Sequence, residues 1–177
     1  MERRRTMHEQ WDLEDIDFED VFSVDDPDTD ESEDGVLDDP AGPDGLGVLS
    51  LTPGELGRLG ESVAGIFLTH EGYELIEHGY RCPEGEADYI AYDPVEECVV
   101  LVEVKTRRAR RIPSESYPEE AVDARKQRRY RRIASCYLMD NFPVPAIRFD
   151  VIGVTFVGSH VVDIVHRYEA FDWECDR

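Results

Sequence analysis

Asp88, Glu103 and Lys105 are the residues of this 177-residue chain whose types and spacing could do chemistry. Glu103 and Lys105 end the apolar run Val99-Val100-Leu101-Val102, with Val104 between them. Such a run reads as a buried strand. In a strand, residues two apart share a face, so a carboxylate and an ammonium stand side by side at the end of a core strand. Asp88 opens a second apolar strand, Tyr89 to Tyr92. An Asp on one strand and Glu-x-Lys on the next is the layout of a metal-dependent phosphodiesterase site. Cleaving a phosphodiester needs charge neutralisation on the phosphate and a water made nucleophilic, and Mg²⁺ supplies both. The ion prefers a few carboxylate oxygens, carbonyls and waters. Asp88, Glu103 and the backbone carbonyl of Val104 could supply those oxygens, with Lys105 within reach of the attacking water or the scissile phosphate. The competing reading is an ordinary strand-end ion pair between Glu103 and Lys105, which contributes only ~0–1 kcal/mol. Glu86 shares strand parity with Asp88 and is either a supporting acid or a solvated neighbour.

The elements that must hold these residues are legible in the pattern. Thr52-Pro53-Gly54-Glu55 is a capping box with Pro at the first helical position. Leu56, Leu59, Val63, Ile66 and Phe67 form an apolar stripe behind it, and Gly72 suits the stop. Glu61 falls on a second stripe, with Gly57, Ala64 and Leu68. It is either a solvated edge residue or an acid presented where another element can approach closely. Residues 73–81 read as a strand. Residues 87–92 and 98–105 read as a hairpin turning at Asp93-Pro94, and 106–117 as a basic, polar loop. Pro118 is expected to open a long helix to about Asp140. Strands are expected over 147–156 and 160–166, the last at a sheet edge. The order α-β-β-β-α-β-β predicts an α/β fold, a central mixed β-sheet flanked by α-helices.

The second helix carries the basic charge. Val122, Lys126, Tyr130, Ile133 and Tyr137 fall on one arc, so Lys126 faces the apolar side. It either meets an anion there or snorkels at the border. Arg125, Arg128, Arg129, Arg131 and Arg132 are expected on the opposite arc. From Lys105 to Arg132 there are 11 basic and 4 acidic residues, net +7, in a chain of net charge −22. That is an electrostatic footprint for polyphosphate, or else a solvated, ion-paired helix face. Arg107, Arg108, Arg125, Arg128, Arg129 and Arg132 are the expected nucleic-acid contacts.

The ordered set of motifs resembles the YraN family, within the restriction-endonuclease-like PD-(D/E)XK superfamily. The set is Gly60-Glu61 with Ala64, Gly72-Tyr73, Gly85-Glu86-Ala87-Asp88-Tyr89-Ile90, Val102-Glu103-Val104-Lys105-Thr106-Arg107, Glu120-Ala121-Val122 with Lys126, and Arg148-Phe149-Asp150-Val151. It covers roughly residues 54–156, and His78-Gly79-Tyr80-Arg81 departs from the family, which often has Asn before an aromatic and Arg. The resemblance implies a Mg²⁺- or Mn²⁺-dependent nuclease-like site with Asp88 and Glu103 as metal ligands and Lys105 as the catalytic lysine. It implies Glu61 as the acid from the first helix and Lys126 as a supporting group from the second. It points to DNA, branched or damaged, as substrate; resolvase-like action on two strands would favour a homodimer. The alternatives are a non-catalytic nucleic-acid-binding protein of the same fold, or an adaptor that binds partners through its acidic tail.

Residues 1–50 hold 18 acidic and 3 basic residues, net −15, and residues 51–177 hold 23 and 16, net −7. The first fifty show no sustained periodicity and cannot bury enough apolar surface to offset ordering entropy. They are expected to be a disordered extension, in which residues 9–44 could mimic nucleic acid and shield the Arg125–Arg132 face, with the folded domain over 51–177. The chain has 17 Arg and 2 Lys, a bias that suits base composition or a high-salt interior. The four cysteines make no C-x-x-C pair, zinc spacing or disulfide framework. The histidines do not cluster, and there is no Gly-rich phosphate loop or G-x-S-x-G elbow. No run is long enough to span a membrane, and Arg3-Arg4-Arg5 leads into acid rather than an apolar core. The expected location is cytoplasmic.

Overall fold

The protein is represented by a computed structural model that describes residues 6–17, 47–48, 50–112 and 122–173. These form a six-stranded mixed sheet with two α-helices, the α/β architecture of a restriction-endonuclease-like core. The elements are β1 (Thr6–Asp12), a 3₁₀ turn (Leu13–Asp15), α1 (Pro53–His70), β2 (Glu74–Cys82), β3 (Gly85–Asp93), β4 (Cys98–Ala109), α2 (Ala124–Asp140), β5 (Ile147–Val157) and β6 (Val161–Arg167). The strand order is β1-β6-β5-β4-β3-β2. Only β4 and β5 run parallel. Their connection carries α2, as a parallel crossover requires.

The alternation of side chains along β4 sorts the core into two layers. Val100, Val102 and Val104 pack with Val63, Ala64 and Phe67 of α1. Val99 and Leu101 pack with Tyr130, Ile133, Ala134 and Tyr137 of α2. Glu103 and Lys105 continue the second set, so they lie on the α2 side. Helix α1 starts as its capping box dictates, with Glu55 N–H donating to Thr52 Oγ1 at 3.3 Å and Thr52 N–H to Glu55 Oε2 at 2.7 Å. It lies close to the sheet because Gly60 has no side chain: a Cβ there would meet Thr106 Oγ1 of β4 at 1.9 Å.

Four expectations are corrected. Residues 6–12 are an edge strand, paired antiparallel with β6 from Thr6↔Arg167 to Asp12↔Val161. The ordered structure therefore does not begin near Leu51. Met7 and Trp11 pack on the α1-side core, which offsets ordering cost in a segment that composition alone marks as polar. As a result β6 is an inner strand rather than an edge. Strand β4 runs on to Ala109, where a loop was expected, because β5 supplies a parallel partner through Ala109↔Val157. Helix α2 begins at Ala124, capped by Asp123, whose carboxylate accepts from Lys126 N–H at 2.8 Å. Pro118, the expected start, lies outside the described residues, as do 18–46 of the acidic extension. No helix among the described residues is long and apolar enough to cross a membrane.

Candidate functional site

The β3–β4 ladder ends at the pair Tyr89↔Val102. One step beyond, the two strands separate, and the next β4 amide on that edge is taken by a side chain: Val104 N–H donates to Asp88 Oδ2 at 2.6 Å. The N–H and C=O of a strand residue point to the same edge, so the Val104 carbonyl faces the Asp88 side as well. Among the described residues Asp88 Oδ1 has no hydrogen-bond partner. Burial, and then the negative charge of Glu103, push the Asp88 carboxyl up to about 7.

Glu103 is compensated where Asp88 is not. It is 3% exposed. Lys105 Nζ stands 2.7 Å from its Oε1, and Lys126 Nζ of α2 bonds the same oxygen. Tyr130, one helical turn after Lys126, donates its hydroxyl to Oε2 at 2.5 Å. Burial opposes the charge on Glu103, but hydrogen bonds from Lys105, Lys126 and Tyr130 outweigh it and hold the carboxyl below the usual range. The two amines differ. Burial disfavours both ammonium forms, yet contact with Glu103 holds Lys105 above the ordinary lysine range. Lys126 falls below it, through burial and the adjacent Lys105. Burial raises the Tyr130 phenol far enough to keep it a donor.

The structure brings Asp88, Glu103, Val104, Lys105 and Lys126 together. Glu61 lies to one side. Its carboxylate adds to the charge felt by Asp88, its carbonyl accepts from Tyr89 Oη at 2.9 Å, and Oε2 is 3.3 Å from His78 Nε2. Glu86 turns away to Arg81, at 3.3 Å. The donor set fits a hard divalent cation: two carboxylates and a carbonyl at one strand parting, with one carboxylate short of positive charge. Among the described residues the three metal-type side chains that converge are instead Glu9, His70 and Glu71, within 4.8 Å of one another. Glu9 is already engaged there by Trp11 Nε1, at 2.8 Å.

The arginines do not form one face. Arg125, Lys126, Arg129 and Arg132 line a cleft of about 400 Å³ with Asp123. Arg129, expected on the opposite arc, packs its stem on Gly85, and its buried Nε has no hydrogen-bond partner among the described residues. Arg132 pairs with Glu84 at 2.6 Å. Arg131 leaves the group and donates to the Asp172 carbonyl at 2.6 Å. Arg128 is exposed. Arg107 donates to Thr155 Oγ1 at 3.0 Å. Arg108 is committed to the loop before α1, through the carbonyls of Val48 and Leu51.

Sequence reasoning missed Tyr130 and His78. Tyr130 reads as one more apolar residue of the α2 stripe; its spacing of four from Lys126 is the signal that both reach the same partner. His78 has no local signal, because Glu61 comes to it from another element. Arg148 and Asp150, prominent in the family pattern, lie elsewhere. Arg148 is 7% exposed and joins Asp150, Asp93 and Tyr73 at 2.8, 3.0 and 2.9 Å. His166 Nε2 lies 2.9 Å from the same Asp150 carboxylate.

A profile of the uncharacterised protein family UPF0102 matches residues 60–154. A UPF0102 protein of Mycolicibacterium smegmatis is 41% identical over 122 residues, 68% of this chain and 96% of that protein. One of Desulforamulus reducens is 40% identical over 110 residues, 61% of this chain and 87% of that protein. One of Symbiobacterium thermophilum is 48% identical over 101 residues, 56% of this chain and 80% of that protein. The chain belongs to the UPF0102 family, the YraN family of the motif comparison.

Proposed function

We propose that this member of the UPF0102 family is a Mg²⁺- or Mn²⁺-dependent endonuclease that hydrolyses phosphodiester bonds in DNA, with branched or damaged DNA as its substrate class. The observation that supports the reading is the convergence of Asp88, Glu103, Lys105 and Lys126 at the point where β3 and β4 part. Asp88, Glu103 and the Val104 carbonyl would hold the ion. Bound there, it supplies charge neutralisation and a water of lowered pKa. Glu103 enters already ionised, kept so by two amines and a phenol. Lys105 keeps its proton and offers Nζ as a fixed positive charge beside the scissile phosphate. Lys126 gives up a proton more readily, which suits Nζ to protonating the leaving oxygen. The cleft of Arg125, Lys126, Arg129 and Arg132 takes flanking phosphates. Arg107 and Arg128 add exposed charge. Arg108 is removed from this role by its loop contacts.

The test is incubation of the full chain with four-way, flapped and linear DNA in Mg²⁺ or Mn²⁺. Cleavage should require the ion and fall by about 100-fold or more in Asp88→Asn and in Glu103→Gln. Activity that survives both substitutions removes the site assignment.

The saturation of Glu103 by Lys105, Lys126 and Tyr130 favours one other reading, a nucleic-acid-binding protein that has kept the fold without the chemistry. Calorimetric titration separates the two. Ion uptake that Asp88→Asn abolishes supports the enzyme; DNA binding without ion uptake supports the binder.

A further inference from the structure

Strand β2 and helix α2 meet along one row of contacts. On α2, Arg129, Arg132, Ile133, Cys136 and Tyr137 recur at three- and four-residue spacing, which places them on one side of the helix. Each of the others meets the β2–β3 hairpin. A Cβ on Gly85 would touch Arg129 Cδ at 3.0 Å and Ile133 Cδ1 at 3.3 Å. Arg132 Nε is 2.6 Å from Glu84. Tyr137 meets Tyr80 edge-on at a centroid distance of 5.5 Å. Cys82 stands opposite Gly85 in the hairpin register and packs on the same cluster as Tyr80 and Ile133. The row therefore delivers Cys136 toward Cys82, near enough for each thiol to bear on the other's charge. Both are free and half-buried, whereas Cys98 is buried at 5% exposure.

We propose that Cys82 and Cys136 are an oxidisable thiol pair that closes to a disulfide between β2 and α2. The inference is independent of the endonuclease reading. A peroxide is a sufficient oxidant: one thiolate attacks the peroxide, giving a sulfenic acid and water. The second thiolate displaces hydroxide from that sulfur, which leaves as a second water. The protein loses two hydrogens and the peroxide is reduced by two electrons. Burial, then Cys82 and the acids Glu84 and Asp140, disfavour the thiolate of Cys136, so closure speeds up as pH rises. The bond would tie the hairpin that carries Asp88 to the helix that carries Lys126 and Tyr130.

The full chain is treated with hydrogen peroxide at pH 8, alkylated, digested without reductant and mapped by mass spectrometry. The expected product is a peptide pair joined through Cys82 and Cys136, two hydrogens lighter than the reduced pair and separated by dithiothreitol. Cys82→Ser and Cys136→Ser should each abolish it, and Cys98→Ser and Cys175→Ser should leave it. The oxidised wild type should melt roughly 5–15 °C higher than the reduced protein, a shift that Cys82→Ser lacks. Separate alkylation of both thiols after treatment, or a Cys82 or Cys136 disulfide formed only between two chains, overturns the proposal.

Discussion

Tyr130 ties the helix to the chemistry. Its hydroxyl is the only partner among the described residues for one oxygen of a carboxylate that is almost wholly out of water. Leaving a buried acceptor unmatched costs about 1–3 kcal/mol. Tyr130→Phe removes one atom and should cost that much in urea-melt stability, because Lys105 and Lys126 crowd the other oxygen and cannot serve both. A loss under about 0.5 kcal/mol would mean that Glu103 does not depend on the phenol. Tyr130 was hidden in the sequence because a tyrosine in an apolar stripe looks like core, which it also is. Asp88, Glu103 and Lys105 were visible because strand parity alone sets them on a shared strand end. The identity of the partner of Glu61 was not visible, since His78 and Glu61 are neighbours only through the packing of α1.

Helix α1 owes its depth on the sheet to Gly60. Gly60→Ala puts a methyl within bonding distance of Thr106, and neither a helix backbone nor a central strand yields easily. Overpacking of this kind costs about 1–3 kcal/mol, so the substitution should lower the melting temperature and displace Glu61. A neutral result would show that α1 can slide on β4. The strands read well where apolar residues alternate or run together, as in 98–105. They read badly where pairing alone sustains them. Residues Thr106 to Ala109 are polar and basic, yet they stay extended because β5 runs alongside. Residues Thr6 to Asp12 alternate only at Met7 and Trp11, with Glu9 between, and such a weak pattern cannot announce a strand before its partner is known.

Stability is held on the opposite face of the sheet from the chemistry, in the Arg148 cluster. Burial works against both carboxylates. Arg148 and the Glu96 and Val95 amides hold Asp93 below the usual range, and His166 with Arg148 does the same for Asp150. A depressed carboxylate contributes stability that is fully present above its unfolded value, about 4. That stability disappears as pH falls through the lower folded value. Wild type should therefore lose stability in urea melts below about pH 4. Arg148→Met strands two buried charges, should cost about 3–5 kcal/mol at pH 7, and should flatten that acid slope. An unchanged slope would place the acid sensitivity elsewhere. At the other edge, deleting residues 1–17 removes β1, exposes the long edge of β6 and takes His8 from the buried Asp163, 2.6 Å away. The truncated chain should melt several degrees lower and self-associate in light scattering. Unchanged melting and mass would make β1 dispensable.

The docking of β1 changes what the acidic stretch can do. With β1 stitched to β6 and α1 seated on β4, the residues between 17 and 47 are joined to the body at both ends. A single cut between 17 and 47 would therefore free no fragment while β1 stays in the sheet.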